Sequence, residues 1–251
     1  MRNDILALFD LDHTLLPHDS DEQWVEFLLE RGKLDRAAYE EANRDLGERY
    51  RRGEASAIEF TEFYLSTLKP FTTVELDEMH RTFMSERILP SIAPAARNLI
   101  AKHRKLDHFM ILTTATSRFL TAPIARELGF EHHIATEPEF KQGRYTGRVK
   151  GVPNMQEGKV ERLLGWLAQH NLKLSDFRES WFYSDSQNDL PLLSHVTHPV
   201  AVNADSDRFP AGWLFHRRWG RVKNSKMPDG AAIVHDTVGG RTTAWVPSRQ
   251  R

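Results

Sequence analysis

The sequence predicts an α/β fold, a doubly wound parallel sheet with an all-helical segment inserted after its first strand. Short, wholly apolar runs are typical of strands that are buried on both faces between helices. Four such runs occur, at residues 5–9, 109–112, 181–183 and 199–202. Three segments with helical periodicity are long enough to cross back over a sheet, at residues 94–103, 118–128 and 156–170. This alternation of strands and helices indicates α/β architecture.

Polar residues end each of the four predicted strands. The first run ends at Asp10, the second at Thr113, the third at Ser184 and Asp185, and the fourth at Asn203. In a parallel sheet the carboxyl ends of the strands share one edge, and ligands bind along that edge. We therefore expect these polar side chains to lie near one another.

A long stretch after the first strand contains helical patterns and no strand. Its first helix is predicted to begin with a capping box formed by Ser20 and Gln23. The same helix is predicted to end at Arg31 and Gly32, because glycine tolerates the left-handed conformation. Further helices are predicted at residues 35–51, 56–68 and 73–88. So many helices exceed a single crossover connection, and we predict a helical cap over the sheet.

A hairpin and a C-terminal tail complete the predicted organisation. The hairpin surrounds residues 141–144. In the polar C-terminal tail, residues 234–246 have two alternatives, a hairpin around Gly239 and Gly240 or a loosely ordered segment. The predicted domains are a core, a helical cap and a C-terminal tail, at residues 1–17 with 89–222, residues 18–88 and residues 223–251.

Composition excludes several classes of function. The 34 basic and 35 acidic residues give a formal charge of -1, so no nucleic-acid partner is expected. The chain has no cysteine, which excludes disulfides, a thiol nucleophile, iron–sulfur clusters and thiolate zinc sites. Its apolar runs are too short to cross a membrane, and its first residues do not resemble a secretory signal. We expect a cytoplasmic protein without a membrane partner, and the sequence carries no signal of oligomeric state.

Carboxylates are concentrated at the predicted sheet edge. Asp10 and Asp12 are two residues apart at the end of the first strand, and extended backbone directs both side chains to one face. Asp185 and Asp189 follow the third strand. Clustered carboxylates repel one another, and a cation relieves that repulsion. Hard oxygen ligands favour Mg²⁺.

Other residues near the sheet edge are suited to binding a phosphate. Thr113 and Thr114 follow the second strand and offer hydroxyl and backbone donors. Lys159 lies near the start of a predicted helix, whose N-terminus also attracts anions, and Lys150 is the competing lysine. Carboxylates, a metal, a lysine and hydroxyl donors are the groups that phosphoryl transfer requires.

Four segments, in order, resemble the motifs of the haloacid dehalogenase superfamily of phosphatases. Residues 10–15 (DLDHTL) are similar to its first motif, DxDxT, and residues 111–114 (ILTT) to its second. Residues 157–159 (EGK) are similar to the third, and residues 183–189 (YSDSQND) to the fourth. The runs RYTG and DLPLL further resemble the phosphoserine-phosphatase-like subfamily IB. The resemblance spans about residues 4–215, and it implies a Rossmann-like core with a helical cap.

The resemblance also implies roles for individual residues. Asp10 would attack phosphorus and form an aspartyl-phosphate, and Asp12 would protonate the leaving alcohol and later activate water. Thr114 and Lys159 would hold the phosphoryl oxygens. The implied Mg²⁺ ligands are Asp10, the backbone carbonyl of Asp12, and Asp185, with Asp189 supporting the ion indirectly. The alternative role for Asp189 is to cap the helix that follows it.

The implied substrate is a small phosphorylated metabolite. Phosphoserine phosphatases have two glycines after the second motif, whereas Ala115 and Thr116 follow here. They also have a glutamate for the substrate amine about nine residues after the nucleophile, where this chain has Asp19. Phosphoserine, histidinol phosphate and other small phosphomonoesters therefore remain open.

Three other functions were weighed against a phosphatase. A dehalogenase on the same scaffold would need Asp10 but not Asp12. A phospho-accepting receiver domain needs only about 120 residues and has no use for a cap. A non-catalytic phosphate-binding protein would be expected to have lost a motif residue, and all of them are present in this chain.

Overall fold

A computed structural model describes residues 4–202 and, further along the chain, the backbone of Val234–Val238 and Arg241–Trp245. Among these residues, no helix combines the length and the apolar composition that a membrane crossing requires.

The core is a five-stranded, fully parallel sheet with the strand order β3-β2-β1-β6-β7. Its strands, in chain order, are β1 (Ile5–Phe9), β2 (Phe109–Ser117), β3 (His132–Thr136), β6 (Glu179–Ser184) and β7 (His198–Ala201). The first strand lies at the centre, between β2 and β6. The predicted fold class is confirmed, and the carboxyl ends of β1, β2 and β6 meet at one edge.

Helices cover both faces of this sheet. Those outside the cap are α6 (Pro94–Lys105), α7 (Arg118–Glu127), α8 (Glu157–Gln169) and α9 (Leu190–Leu193). Alternation along β1 supplies both faces of the core, because Leu6 and Leu8 pack with the residues of α8 and α9. Ala7 and Phe9 point to the opposite face, where they pack with residues of α6, α7 and the cap.

From Ser20 onwards, the segment between β1 and α6 contains helices and no strand, as predicted. It contains α1 (Ser20–Glu30), α2 (Arg36–Arg51), α3 (Ala57–Ser66), α4 (Thr73–Phe83), a π-helical turn (Met84–Ile88) and α5 (Leu89–Ser91). Trp24 on α1 contacts the ring of Phe83 on α4 and the ring of Phe119 on α7, which ties the cap helices to the core. The domain boundaries themselves stay a prediction.

The predicted capping box of α1 is wrong by one residue. Asp19 is the N-cap, and its carboxylate accepts a hydrogen bond from the backbone N–H of Glu22 at 3.0 Å. Ser20 is fully buried, and its hydroxyl has no hydrogen-bond partner among the described residues. An aspartate is at least as good a cap as a serine, so the cap forms at the earlier position. The predicted end of the helix at Gly32 is confirmed by the left-handed backbone there.

The second predicted strand also differs from the structure. We expected it to stop at Thr113, but β2 continues to Ser117. The strand runs on because β3 pairs with it beyond Thr114, after a shift of register. This extension carries Thr116 to the sheet edge. The predicted strand end at Asn203 lies outside the described residues.

Both hairpins are present. The first pairs β4 (Pro138–Lys141) with β5 (Arg144–Val149), and it packs against the cap helix α3. Gly147 has positive φ, and a Cβ there would lie 3.1 Å from the Ser66 backbone, so glycine permits this close approach. In the tail, β8 (Val234–Val238) pairs with β9 (Arg241–Trp245); the remainder of the predicted tail lies outside the described residues.

Candidate active site

The end of β1 places Asp10 at the centre of the sheet edge. Its backbone N–H donates to the carbonyl of Tyr183 on β6 at 2.9 Å, which continues the sheet pairing past the last strand residue. The Asp10 residue is only 7% exposed. Burial raises the pKa of its carboxyl well above the usual value, and the ammonium of Lys159 opposes that rise.

Thr14 brings the two acidic segments together. Its hydroxyl lies 3.4 Å from Oδ2 of Asp10 and 3.2 Å from Oδ1 of Asp185, and it also accepts the backbone N–H of Asp185. The carboxylates at the ends of β1 and β6 are therefore separated by a single hydroxyl group. Burial raises the pKa of Asp185, while His13 and Thr14 oppose the rise.

Lys159 is the cation at the centre of the site. Its Nζ lies 3.0 Å from Asp10 and 2.7 Å from Asp189, and the residue is 2% exposed. Burial disfavours its charged form, but the two carboxylates outweigh burial and raise its pKa. The competing Lys150 is exposed.

Gly158 lets the N-terminus of α8 approach the loop before it. A Cβ at this position would lie 2.3 Å from the carbonyl oxygen of Pro153. The close approach fixes the start of α8, where Lys159 follows directly. The glycine before this lysine therefore has a steric reason to be there.

Asp189 contacts protein groups rather than capping a helix. It accepts hydrogen bonds from Lys159 and from the Ser184 hydroxyl at 2.7 Å, and it is 3% exposed. It makes no side-chain cap to the helix that follows, so the alternative of a helix cap is wrong. Its contacts instead hold the ammonium group beside Asp10.

Asp12 lies on the cap side of the site, with both carboxylate oxygens bound. Oδ1 accepts the backbone N–H of Ser20 at 2.8 Å, and Oδ2 accepts the hydroxyl of Thr116 at 2.7 Å. Burial and the negative charge of Asp19 raise its pKa to about 6, against the effect of these two hydrogen bonds. A carboxyl with this pKa can give up and recover a proton near neutral pH.

The two threonines of the second motif have different surroundings. The hydroxyl of Thr113 accepts the side-chain amide of Asn154 at 3.0 Å, which also donates to the Thr114 carbonyl at 2.9 Å. The Thr114 hydroxyl accepts the backbone N–H of Thr116 at 3.2 Å, so its own proton remains available to a ligand. The Thr113 hydroxyl is likewise an acceptor in its contact, so both hydroxyls keep a proton to donate, and Thr114 as the phosphate contact stays a prediction.

Acidic side chains on α1 surround the cap side of Asp12. The negative charges of Asp19, Asp12 and Glu22 act together with burial to raise the pKa of Asp21 well above the usual value. Two phenols complete this region, since burial and the charges of Asp19, Asp21 and Glu22 raise the pKa values of Tyr39 and Tyr64. We call Asp19, Asp21, Glu22, Tyr39 and Tyr64 the acidic cluster.

The donor chemistry at the sheet edge fits Mg²⁺. Within residues 4–202, no three carboxylate or imidazole side chains converge into a metal site by themselves. Mg²⁺ does not need three, because it binds through one or two carboxylates and completes its shell with water, carbonyl and phosphate oxygens. Asp10 and Asp185, on either side of the Thr14 hydroxyl, supply two such carboxylates.

Sequence reasoning gave no role to three residues of this site. Thr14 is part of the first motif, and its spacing from Asp10 was the available signal. Thr116 was missed because β2 was predicted to end at Thr113, before this residue. Asn154 lies in a loop without a recognisable pattern, and its partners are about 40 residues away in the sequence.

Comparison with known proteins identifies the family of this chain. The family model for haloacid dehalogenase-like hydrolases matches residues 7–194. A histidinol-phosphatase of Neisseria meningitidis is 39% identical over 203 residues, which are 80% of this chain and 91% of that protein.

Solved structures agree as well. A Bordetella pertussis protein of unknown function is 50% identical, with a TM-score of 0.77 over 81% of this chain and 92% of the other. A substrate-bound phosphoserine phosphatase is 18% identical and shares the fold, with a TM-score of 0.55 over 78% and 84% of the two chains. The chain therefore belongs to the haloacid dehalogenase-like hydrolases and is a phosphatase of that family.

Proposed function

We propose that the protein is a Mg²⁺-dependent phosphatase that cleaves a small phosphomonoester through an aspartyl-phosphate on Asp10. The observation that carries this proposal is the contact of the buried Lys159 ammonium with Asp10, beside the Asp185 carboxylate. A buried carboxylate next to a cation is a nucleophile that a phosphate dianion can approach without strong repulsion.

The first step transfers the phosphoryl group to the protein. A carboxylate oxygen of Asp10 forms a bond to phosphorus while the bond from phosphorus to the alcohol oxygen breaks. Asp12 gives its proton to that oxygen, so the product leaves as a neutral alcohol. Lys159 and Thr114 bind the phosphoryl oxygens through this step.

The second step releases phosphate. Asp12, now a carboxylate, takes a proton from water as the water oxygen attacks phosphorus, and the bond from phosphorus to Asp10 breaks. Asp10 returns as a carboxylate and Asp12 as an acid. A carboxyl whose pKa is about 6 can serve in both directions.

When bound, Mg²⁺ would supply positive charge for the phosphoryl oxygens. Asp10, Asp185 and the backbone carbonyl of Asp12 would hold it. We assign Asp189 to a supporting role, in which it positions Lys159 rather than contacting the ion.

The acidic cluster supports a substrate whose leaving group is cationic. Asp19, Asp21 and Glu22 lie on the cap side of Asp12, and Tyr39 and Tyr64 add aromatic faces. We propose histidinol phosphate as the first candidate, because the 39% identical relative is a histidinol-phosphatase and because this alcohol carries an amine and an imidazole. Phosphoserine is less suited, since its carboxylate would meet the same acids.

Phosphate release from histidinol phosphate and phosphoserine, with and without Mg²⁺, tests this proposal. We expect hydrolysis of histidinol phosphate at a kcat/KM at least tenfold above that of phosphoserine, and loss of activity in EDTA. Asp10→Asn should abolish activity, whereas the control Asp45→Asn, on the exposed face of α2, should keep it. An active Asp10→Asn variant would reject the nucleophile, and a preference for phosphoserine would reject the substrate.

A further inference from the structure

We propose that Thr116 is a positioning residue that holds the carboxyl of Asp12 in the orientation required for proton transfer to the leaving group. This inference rests on the proposed function, in which Asp12 is the general acid. Thr116 occupies one of the two positions that are glycine in phosphoserine phosphatases, so its side chain is a feature of this chain rather than of that pattern.

The position of Thr116 is fixed by the extension of β2. The residue is 5% exposed, and its backbone N–H donates to the Thr114 hydroxyl at 3.2 Å. From this strand position its own hydroxyl reaches Oδ2 of Asp12 at 2.7 Å. One short stretch of strand therefore connects the proposed phosphate contact with the proposed acid.

The two oxygens of Asp12 have different partners. Oδ1 accepts the backbone N–H of Ser20, a group that can only donate. Oδ2 faces the hydroxyl of Thr116, which can rotate and can either donate or accept. The hydroxyl oxygen of a carboxylic acid is a poor acceptor for a fixed N–H, so the proton of Asp12 belongs on Oδ2. Thr116 accommodates both protonation states at that oxygen.

The hydroxyl of Thr116 also lies beside a second acid. That acid is Asp21, which interacts electrostatically with both Thr116 and Asp12. Without the hydroxyl, Oδ2 of Asp12 would lose its hydrogen bond. The Asp12 side chain would then be free to turn away, and proton transfer depends on its orientation.

Leaving-group dependence tests the proposal. The bond to p-nitrophenolate breaks with little help from an acid, whereas the bond to phenolate needs protonation. We expect Thr116→Val, which keeps the shape but removes the hydroxyl, to lower kcat/KM about tenfold more for phenyl phosphate than for p-nitrophenyl phosphate. Thr116→Ser should restore the wild-type ratio. Because kcat/KM reports only the steps through phosphoryl transfer to Asp10, slow hydrolysis of the phospho-enzyme does not mask the effect.

A matched control separates positioning from general destabilisation. Thr121→Val removes another buried threonine hydroxyl, which donates to the Ser117 carbonyl at 2.9 Å. It should leave the ratio of the two kcat/KM values unchanged. If Thr116→Val does not fold, Thr116→Ala provides the same comparison.

Asp12→Asn distinguishes failure of this inference from failure of the proposed function. If Asp12→Asn changes the ratio strongly and the Thr116 variants do not, the positioning role is wrong. If Asp12→Asn lowers kcat/KM equally for both substrates, Asp12 is not the general acid, and the inference about Thr116 fails with it. A change of ratio in Thr116→Val that Thr116→Ser does not reverse would also overturn the inference.

Discussion

Lys159 illustrates how a single side chain depends on its neighbours in this site. A lysine that is 2% exposed can remain charged only because Asp10 and Asp189 contact its ammonium group. The dependence is mutual, since both carboxylates are themselves buried. The same contact that lowers the repulsion of a phosphate therefore also stabilises the fold.

Removing this ammonium group should destabilise the protein strongly. Lys159→Met keeps the length of the side chain but leaves the buried carboxylates of Asp10 and Asp189 without their cation, which costs about 3–5 kcal/mol. Lys150→Met is the matched control, because Lys150 is exposed, and it should change the free energy of unfolding by less than about 0.5 kcal/mol. Urea unfolding of the two variants measures the difference. Equal urea midpoints would contradict the account.

Sequence patterns identified the charged residues of the site but not the residues that orient them. Asp10, Asp12, Lys159, Asp185 and Asp189 occur in motifs whose order and spacing can be recognised. Thr116 and Asn154 act through hydrogen bonds to residues that are far away in the sequence. No periodicity encodes such a contact, because it exists only after the sheet has formed.

Among the secondary-structure elements, α1 shows why helix ends are hard to predict. Asp19 and Ser20 are both good capping residues, and the choice between them depends on tertiary structure. Here Asp19 is the cap, so the helix begins at Ser20, one position earlier than a cap at Ser20 would allow, and the backbone N–H of Ser20 donates to Asp12. Two neighbouring residues thus have different partners: Asp19 caps α1, and Ser20 binds the proposed acid Asp12.

This arrangement predicts that substitutions at two adjacent residues affect stability differently. Asp19→Ala removes the hydrogen bond to the Glu22 N–H and should cost about 1 kcal/mol. Ser20→Ala removes a hydroxyl without a hydrogen-bond partner among the described residues, so it should change stability by less than about 0.5 kcal/mol. Asp19→Asn keeps a capping oxygen and should behave like the wild type. Thermal or urea unfolding checks all three, and a larger loss for Ser20→Ala would reverse the assignment of the cap.

For the whole molecule, the periodicity of the sequence predicted which segments form strands and helices better than it predicted strand lengths and contacts between elements. The burial of β1 on both faces follows from its wholly apolar composition, and the helical insertion follows from the absence of strand patterns. The length of β2 did not follow, because its last residues are polar and are held by pairing with β3. The hairpin that packs on α3 was predicted as a hairpin, but its contact with the cap was not.

A buried histidine gives the folded state a pH dependence. His103 is 3% exposed, with its imidazole bonded to the Tyr183 hydroxyl and to His108, both at 2.8 Å. Burial lowers its pKa from 6.5 to about 3. Between these values the unfolded chain binds the proton and the folded protein does not. The contribution of His103 to stability is therefore complete above pH 6.5 and is lost as the pH falls towards 3.

Comparing the unfolding free energies of the wild type and the His103→Asn variant isolates the contribution of His103. The difference in unfolding free energy between wild type and His103→Asn should shrink as the pH falls below 6.5, with a slope approaching about 1.4 kcal/mol per pH unit. Taking the difference removes the opposite effect of the buried carboxyls, whose raised pKa values favour the folded state at low pH. Urea titrations at several pH values measure it. A difference that stays constant from pH 7 to about pH 5 would show that His103 does not remain neutral in the folded protein.

The nucleophile is the central claim, and mass spectrometry of the phospho-enzyme tests it most directly. Asp12→Asn should accept a phosphoryl group from p-nitrophenyl phosphate in the presence of Mg²⁺ but hydrolyse it slowly, because it lacks the base that activates water. We predict that rapid acid quenching and digestion will find the added mass of one phosphoryl group on Asp10. No added mass in Asp12→Asn during turnover, or a phosphoryl group on a residue other than Asp10, would contradict the account.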